Sequence, residues 1–382
     1  MPDAIIYQGD DARAEITRDD NGLILEYLTP GPPLAAQLPY FEGPRSFAEF
    51  PNFLINLLPE GARLQMLLDA LRAKDDALEL LLRVGWDTIG DVAVLDPDAS
   101  GPRQPLVPEQ MARDVSFWKL FEAGAGEHAD ASVPGVQEKL SAATISFGVR
   151  MSDQLSAILK LNPRRYPRLV YNEHFFLRMA KGCGLEVAAA QLVHDREREP
   201  GLLVTRFDRV KDGRTLRKLH QEDGCQILDL PPRDKYQVSV RHMADALVEF
   251  ASAPRAEVLR LLEQVLFNYI IGNADQHAKN VSLLWRDGVV RLSPAYDVLS
   301  TLPYALPPEM SMHLDGKSNK LRAADFVKFG ERYHVPAKAT EAMLARVTTK
   351  AQPWIERVGE IGFDETITKK LQREIAARLG GL

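Results

Sequence analysis

Only two cysteines, Cys183 and Cys225, occur in 382 residues, and they lack the paired spacing of metal ligands. That excludes a disulfide framework and suits a reducing compartment. No run of about 18 apolar residues is present, which argues against a membrane-spanning helix. The opening residues, MPDAIIYQGDDAR, carry acids where a secretory signal needs a basic and then an apolar stretch. The expected location is the cytoplasm, with no membrane partner. Basic charge is not in excess either: 47 Lys and Arg face 53 Asp and Glu, a net of −6. Independent nucleic-acid binding draws its affinity from phosphate neutralisation and normally shows a basic domain or stripe. The brief clusters Arg164, Arg165, Arg168 and Arg206, Arg209, Lys211 read instead as solvated surface.

What is there has a clear organisation. Residues 4 to 30 alternate in strand-like pieces (AIIYQ, ARAEIT, LILEYL) separated by turn residues. The stretch from Ser46 to Val84 reads as several amphipathic helices, and DVAVL as a closing strand. DPDASGPRQPLVPEQ, with four prolines and one glycine in fifteen residues, reads as a linker. Beyond it come the strand-like runs LSAATISF, LSAILKL, VAAAQLV, LLVTRF and TLRKLH, with the helix YNEHFFLRMAKGCG after the second. From about Cys225 the chain turns mostly helical. The clearest helix is RAEVLRLLEQVLFNYIIG, with Val258, Leu261, Leu262, Val265 and Tyr269 on one face. The expected fold is α+β: a two-lobed protein-kinase-like fold preceded by a small N-terminal α/β domain. The expected boundaries are residues 1–96 for the N-terminal domain, 97–111 for the linker, 112–224 for a sheet-rich nucleotide-binding lobe and 225–382 for a helical lobe.

The segment GNADQHAKNVSLLW, followed by VVRLSPAYDV, carries the chemistry. Asp275 and Asn280 stand in the D-x-x-x-x-N spacing of a kinase catalytic loop, where the Asp accepts a hydroxyl proton and the Asn binds Mg²⁺. A hairpin turning at Arg286-Asp287-Gly288 returns the chain to the same place, and Asp297 follows its second strand. One Asp and one Asn suffice for Mg²⁺, which keeps several phosphate or water oxygens. Asp275 could instead end a helix or turn, or serve with His277 as a transition-metal ligand, but no further His or Cys stands at suitable spacing. Lys160 lies on the opposite strand face from Leu155, Ala157, Leu159 and Leu161, and so would face a cleft. Glu173 shares an apolar helix face with Phe176, Leu177 and Ala180, and a buried carboxylate needs a partner. Lys160 is the natural one, against the plainer alternative of a surface Lys and a solvated Glu. The segment SVPGVQEK precedes the first strand of this half but matches neither the Walker nor the G-x-G-x-x-G phosphate pattern.

The blocks FPNFLINLLPE, GWDTIGDVAV, SVPGVQEK, AILKLNP, NEHFFLRMAKGCGLEVA, LLVTRFDR, HQEDGCQILDLPPRDKYQ, GNADQHAKNVSLL and LSPAYDVLST run in order from about residue 50 to 301. In this they resemble the HipA-type serine/threonine kinases, the toxin half of bacterial toxin–antitoxin pairs. The resemblance implies a Mg²⁺- and ATP-dependent protein kinase. In it Asp275 would be the catalytic base, with Asn280 and Asp297 holding Mg²⁺ and Lys160 contacting phosphates. Lys139 would help from the phosphate loop, His277 would stand beside the nucleotide, and backbone groups of Thr205 to Phe207 would form the adenine hinge. Asp208 would reach the ribose, and Ser132 would occupy an inhibitory autophosphorylation position. Family targets are aminoacyl-tRNA synthetases, and a small helix-turn-helix antitoxin of the HipB type neutralises the kinase and contacts DNA on its behalf. A catalytically silent corepressor and a small-molecule kinase are the rival functions. Retention of the Asp275, Asn280, Asp297 and Lys160 set argues against the first, and SVPGVQEK, QEDGCQ and the N-terminal domain against the second.

Overall fold

The computed structural model describes residues 1–19, 22–61, 64, 68, 76–99, 116–117, 145–150 (backbone only), 156–163, 165–213, 215–304 and 306–382. Lys139, Ser132 and most of the expected linker lie outside the described residues.

The N-terminal unit is an antiparallel sheet of β1 (Ala4–Gln8), β2 (Asp11–Asp19), β3 (Gly22–Tyr27), β4 (Pro44–Phe47) and β5 (Val92–Leu95), in the order β4-β3-β2-β1-β5. Alternate residues of β1, β2 and β3 point inward, so Ile6, Ile16 and Leu25 are fully buried, and β5 is buried along its whole length, Val94 included. Two short helices, α1 (Asn52–Ile55) and α2 (Ala77–Val84), add Leu54, Leu78 and Leu81 to the same core. Asp76 caps α2 by accepting from the N–H groups of Leu78 (3.0 Å) and Glu79 (3.1 Å). The helical reading from Ser46 begins too early. Ser46 and Phe47 pair with Ile24 and Leu23 as the sheet edge, since backbone pairing outweighs the weak local pattern.

The second sheet is β6 (Ile145–Arg150), β7 (Ser156–Leu161), β8 (Ala190–His194) and β9 (Pro200–Thr205), in the antiparallel order β6-β7-β9-β8. The helix α3 (Leu169–Cys183) packs on it and ends at Gly184, whose φ of 99° suits a left-handed cap. The hairpin of β10 (Arg209–Asp212) and β11 (Thr215–Lys218) leads to β12 (Gln221–Asp223) and the short α4 (Gly224–Ile227). The helical lobe contains α5 (Val240–Phe250), α6 (Pro254–Ile271), α7 (Ala323–Arg332), α8 (Ala337–Ala351) and α9 (Glu365–Gly380). Between α6 and α7 lies a hairpin, β13 (Ser282–Arg286) and β14 (Val289–Leu292), which pairs with β12. Its two-residue turn, Asp287-Gly288, has positive φ at both positions, the primed geometry that hairpins favour. The helix α6 is buried on more than its expected stripe. Leu266, Phe267, Ile270 and Ile271 are fully enclosed as well, so α6 is the central post of the helical core. Both cysteines sit in that core, and burial pushes each thiol up to about 12. Among the described residues no helix is long and apolar enough to cross a membrane.

The N-terminal sheet is joined to the kinase-like half by buried polar groups. Arg206 donates to Asp87 (2.9 Å), Thr88 O (2.6 Å) and Asp208 (2.8 and 3.1 Å), and Arg209 donates to Thr88 O (2.8 Å), Gly90 O (2.7 Å) and Asp208 (2.8 Å). Each arginine is only 5% exposed, so these two are not the solvated surface residues expected; Lys211 alone of that cluster is exposed. Gly90, at φ 82°, approaches β12 so closely that a Cβ there would lie 2.9 Å from Gln221 O. His220 bridges the same junction, with Nδ1 at 2.7 Å from Asp91 and Nε2 at 2.8 Å from Glu222. Burial alone would lower its pKa, but the two carboxylates outweigh it and raise the imidazole to about 10.

A histidine raised from 6.5 to about 10 on folding contributes stability that is fully present below pH 6.5 and is lost as pH climbs to about 10. Thermal stability should therefore fall across that window, and His220→Gln, destabilised at pH 6.5, should show a shallower fall. Melting temperatures at half-unit pH steps test this; parallel curves for the two proteins would remove His220 from the pH dependence.

Candidate active site

The site is assembled where three segments meet: β7 with α3, the loop after α6, and the loop after β14. On β7, Ala157, Leu159 and Leu161 are buried on one face, while Ser156, Ile158 and Lys160 lie on the other, Ser156 buried and the latter two partly buried. From that face Lys160 Nζ donates to Glu173 Oε1 at 2.7 Å and forms a second ion pair with Asp297 Oδ1. Burial alone would lower the Lys160 ammonium, but the two carboxylates hold it above its ordinary value. Burial pushes Glu173 up to about 6, with Lys160 acting against the rise and the Asp297 charge adding to it. Next to Glu173, Asn172 donates to Ser300 O (2.8 Å) and accepts from Ser300 N–H (3.0 Å), which fixes α3 against the segment that carries Asp297.

The catalytic-type loop begins where α6 ends. Gly272 has φ 67°, and a Cβ there would lie 2.5 Å from Leu302, so only glycine turns the chain here. Asn273 donates to Asn268 Oδ1 (2.8 Å) and accepts from Asp275 N–H (3.0 Å), which sets the start of the loop. Thr301 Oγ1 donates to Gly272 O (2.9 Å) and accepts from Ala274 N–H (3.1 Å). Asp275 is 7% exposed, and the Tyr236 hydroxyl donates to its Oδ1 at 2.9 Å. The Tyr236 ring meets the His277 ring edge to face at 4.9 Å. Further along, the N–H of His277 donates to Asn280 Oδ1 (3.2 Å), and Asn280 Nδ2 donates to Asp297 Oδ2 (2.8 Å). Asp297 holds φ 54°, a left-handed conformation uncommon outside glycine and often found at functional positions.

Asp297 thus joins Lys160 to Asn280, and Asp275 heads the same loop. Asp297 and Asn280 present the carboxylate and amide oxygens that a hard cation takes, and the Lys160 ammonium leaves the three-charge group of Lys160, Glu173 and Asp297 with one net negative charge. That donor set fits Mg²⁺, with one condition. Asn280 shows its NH₂ group to Asp297 while its oxygen faces His277 N–H, so joint coordination requires rotation of the amide. Among the described residues no group of three or more His, Cys, Asp or Glu side chains is placed to hold a metal ion.

Two sequence expectations need revision. Asp208 does not point its carboxylate toward a ribose: Arg206, Arg209 and the N–H of Gly90 (2.9 Å) hold both oxygens, and the arginines outweigh burial to keep its pKa well below the carboxylate range. At the expected hinge, the N–H groups of Thr205 and Arg206 are committed to Ala189 O and Ser156 O, each at 2.8 Å, and so are not free to meet an adenine. Sequence reasoning also missed three groups around the loop. Tyr236 stands in the block DKYQ quoted above, and only a fold could show that it reaches Asp275. Tyr296 donates to Lys279 O (2.7 Å), shares a hydrogen bond with Ser282 Oγ (2.6 Å) and packs its ring 5.6 Å from Phe207. Lys279 reaches Asn56 and Asp223 on the far side of the loop.

Comparison with known proteins gives this arrangement a family. Residues 4–95 match the family model described as the HipA N-terminal domain, and residues 131–355 match the HipA-like C-terminal domain. The protein Y4mE of Sinorhizobium fredii is 32% identical over 313 residues, 77% of this chain and 74% of that protein. The serine/threonine-protein kinase toxin HipA of Shewanella oneidensis is 29% identical over 356 residues, 86% of this chain and 81% of that protein. The fold is shared with the solved complex of Shewanella oneidensis HipA, HipB and operator DNA, at a TM-score of 0.78 and 22% identity, covering 98% of this chain and 96% of that one. With both halves matched and the two-lobed kinase-like fold shared end to end, the chain belongs to the HipA family.

Proposed function

We propose that the protein is a Mg²⁺- and ATP-dependent serine/threonine protein kinase acting as a HipA-like toxin in the cytoplasm. The carrying observation is the convergence of Lys160, Asp275, Asn280 and Asp297 from three separate segments, with Asp297 bonded to both Lys160 and Asn280. Phosphoryl transfer asks a protein chiefly for positioning and charge stabilisation, and this set supplies both. Asn280 and Asp297 would hold Mg²⁺, which when bound neutralises charge on the transferring phosphoryl group. Lys160, kept charged and aimed by Glu173, donates toward phosphate oxygens. Asp275 accepts the hydrogen bond of an incoming Ser or Thr hydroxyl and takes its proton, while Tyr236 fixes which way the carboxylate faces. His277 lines the loop beside the nucleotide, and Phe207 with neighbouring carbonyl groups contacts the adenine. Lys139 completes the phosphate loop.

The family supports the biological assignment. The acceptor is a protein, and the resemblance names an aminoacyl-tRNA synthetase as its class. A small helix-turn-helix antitoxin binds the kinase and carries it to operator DNA; in Shewanella oneidensis the related HipA forms a complex with HipB and operator DNA. The chain's net charge of −6 fits a protein that reaches DNA only through such a partner.

Asp275→Asn keeps size and polarity but removes the charged acceptor. It should fold, bind Mg-ATP within a few-fold of wild type, and lose transfer by about 10²- to 10⁴-fold. Radiolabelled ATP with the purified protein, alone and with candidate protein acceptors, measures this; near wild-type transfer by the folded variant would remove Asp275 from its role.

Ser132, in ADASVPGVQEK, should become phosphorylated on incubation with Mg-ATP. The phosphate adds about −1.5 to −2 charges, which a segment serving ATP phosphates would meet as repulsion. The modified protein should bind Mg-ATP poorly and be inactive. Intact-mass and peptide analysis decides it: full activity with phosphate on Ser132 contradicts the inhibitory role, and no phosphate contradicts both parts.

A further inference from the structure

The loop that carries Asp275 and Asn280 is held from behind by the N-terminal sheet unit. Lys279, the residue before Asn280, donates to Asn56 Oδ1 at 2.9 Å and to Asn56 O at 3.2 Å, pairs with Asp223 at 2.8 Å and lies 3.6 Å from Glu60. Glu60 also pairs with Lys235. The carbonyl of Lys235 accepts from Ala278 N–H at 3.1 Å, and its neighbour Tyr236 donates to Asp275. Two chains of polar contact therefore run from Asn56 and Glu60. One ends beside Asn280, the other on Asp275. The groups along both are largely buried: Asn56 is 6% exposed and Lys235 8%.

Hydrogen bonds inside the loop close only short turns, Asp275 N–H to Asn273 and His277 N–H to Asn280. They leave its position against the rest of the protein to outside anchors. For residues 276–281 the outside anchors include the Lys235 carbonyl, the Tyr296 hydroxyl, the Lys279 ammonium, the Asn280–Asp297 hydrogen bond (2.8 Å) and the Gly224 N–H on Val281 O (2.9 Å). Two of these five trace back to Asn56 or Glu60, and among them the Lys279 ammonium is the one side chain that crosses to the N-terminal unit. A desolvated ammonium that loses an acceptor leaves an N–H group unsatisfied away from water, so the contact is held strongly once formed.

We propose that Lys279 is a positioning residue through which Asn56 and Glu60 set the transfer-competent shape of the catalytic loop, making the N-terminal unit a working part of the phosphotransfer site. The inference rests on the kinase reading above. It goes further in assigning the N-terminal unit a role in the chemical step, in addition to any role in docking a partner.

The test compares full-length Asn56→Ala, Lys279→Met and their double variant with Asn52→Ala. Asn52 lies in the same junction; its side chain donates to Asp229 O (2.8 Å) and Oδ1 (3.1 Å) rather than to the loop, and its backbone carbonyl, which accepts from Asn56, is kept in alanine. Three quantities are read: single-turnover transfer at saturating Mg-ATP per folded molecule, the Kd for Mg-ATP, and amide hydrogen exchange across residues 276–281. Asn56→Ala and Lys279→Met should each slow transfer by about 10- to 100-fold, the scale expected of a small misplacement. Both should leave the Kd within about threefold and speed exchange in the loop. The double variant should be no slower than Lys279→Met, because both substitutions cut one path. Asn52→Ala should lose thermal stability with transfer and loop exchange unchanged. Wild-type rates and exchange in Asn56→Ala, or fully additive losses in the double variant, overturn the proposal. Should Lys279→Met fail to fold, Asn56→Ala decides alone. Should the wild type transfer no phosphate, the kinase reading fails, and the exchange measurement still judges whether Asn56 sets the loop.

Discussion

One ammonium between two carboxylates organises this molecule. Lys160 pairs with Glu173 from α3 and with Asp297 from the loop beyond β14, so a single buried cation joins the sheet, its helix and the helical lobe. Breaking such a group by removing one member costs far more than forming it yields, because the remaining charge is stranded away from water. The arrangement is also incomplete in charge. Two carboxylates and one ammonium leave a net negative site, and burial with the nearby Asp297 raises Glu173 to about 6. An additional cation beside Asp297 would relieve that repulsion, and the proposed Mg²⁺ would supply that charge. The left-handed backbone of Asp297 aims the carboxylate at both neighbours and is held there by the Asn172–Ser300 pair behind it.

The same economy of buried charge governs the junction between the two halves. Arg206 and Arg209 fill every side of Asp208 and reach Asp87, Thr88 and Gly90 across the boundary, while His220 links Asp91 to Glu222. These groups are largely desolvated and directionally bonded, so the N-terminal sheet is fixed in orientation, as hydrophobic contact alone would not fix it. On the catalytic side of that junction Asn56 and Glu60 meet Lys279 and Lys235. A unit that could have been an appended module is in contact with the residues flanking Asp275 and Asn280.

Much of this was legible in the chain. The D-x-x-x-x-N spacing, the hairpin after it and Asp297 beyond the second strand are local patterns, and the two-residue turn Asp287-Gly288 carries its own conformational signal. Lys160 and Glu173 were legible through periodicity: a charge on the strand face opposite the core, and a carboxylate on an apolar helix face. What escaped was set by partners distant in sequence. The family resemblance gave Asp208 to the ribose, yet arginines two residues before and one after it, in TRFDRV, take its oxygens. The same arginines were read as surface because the residues that bury them, Asp87 to Gly90, lie about 120 positions away. Lys279 sits inside the recognisable loop, but nothing local to it names Asn56 as its partner.

The central claim is that Asp297 and Asn280 hold a divalent cation against nucleotide phosphates facing Lys160. Crystals of the full chain grown with Mn²⁺ and a non-hydrolysable ATP analogue test it most directly, since Mn²⁺ can be located by its anomalous scattering. The account predicts a peak bound by an Asp297 oxygen and by the Asn280 oxygen after rotation of its amide, with Lys160 on a phosphate and Asp275 facing the terminal one. Nucleotide bound elsewhere, or a metal peak without Asp297, would contradict it.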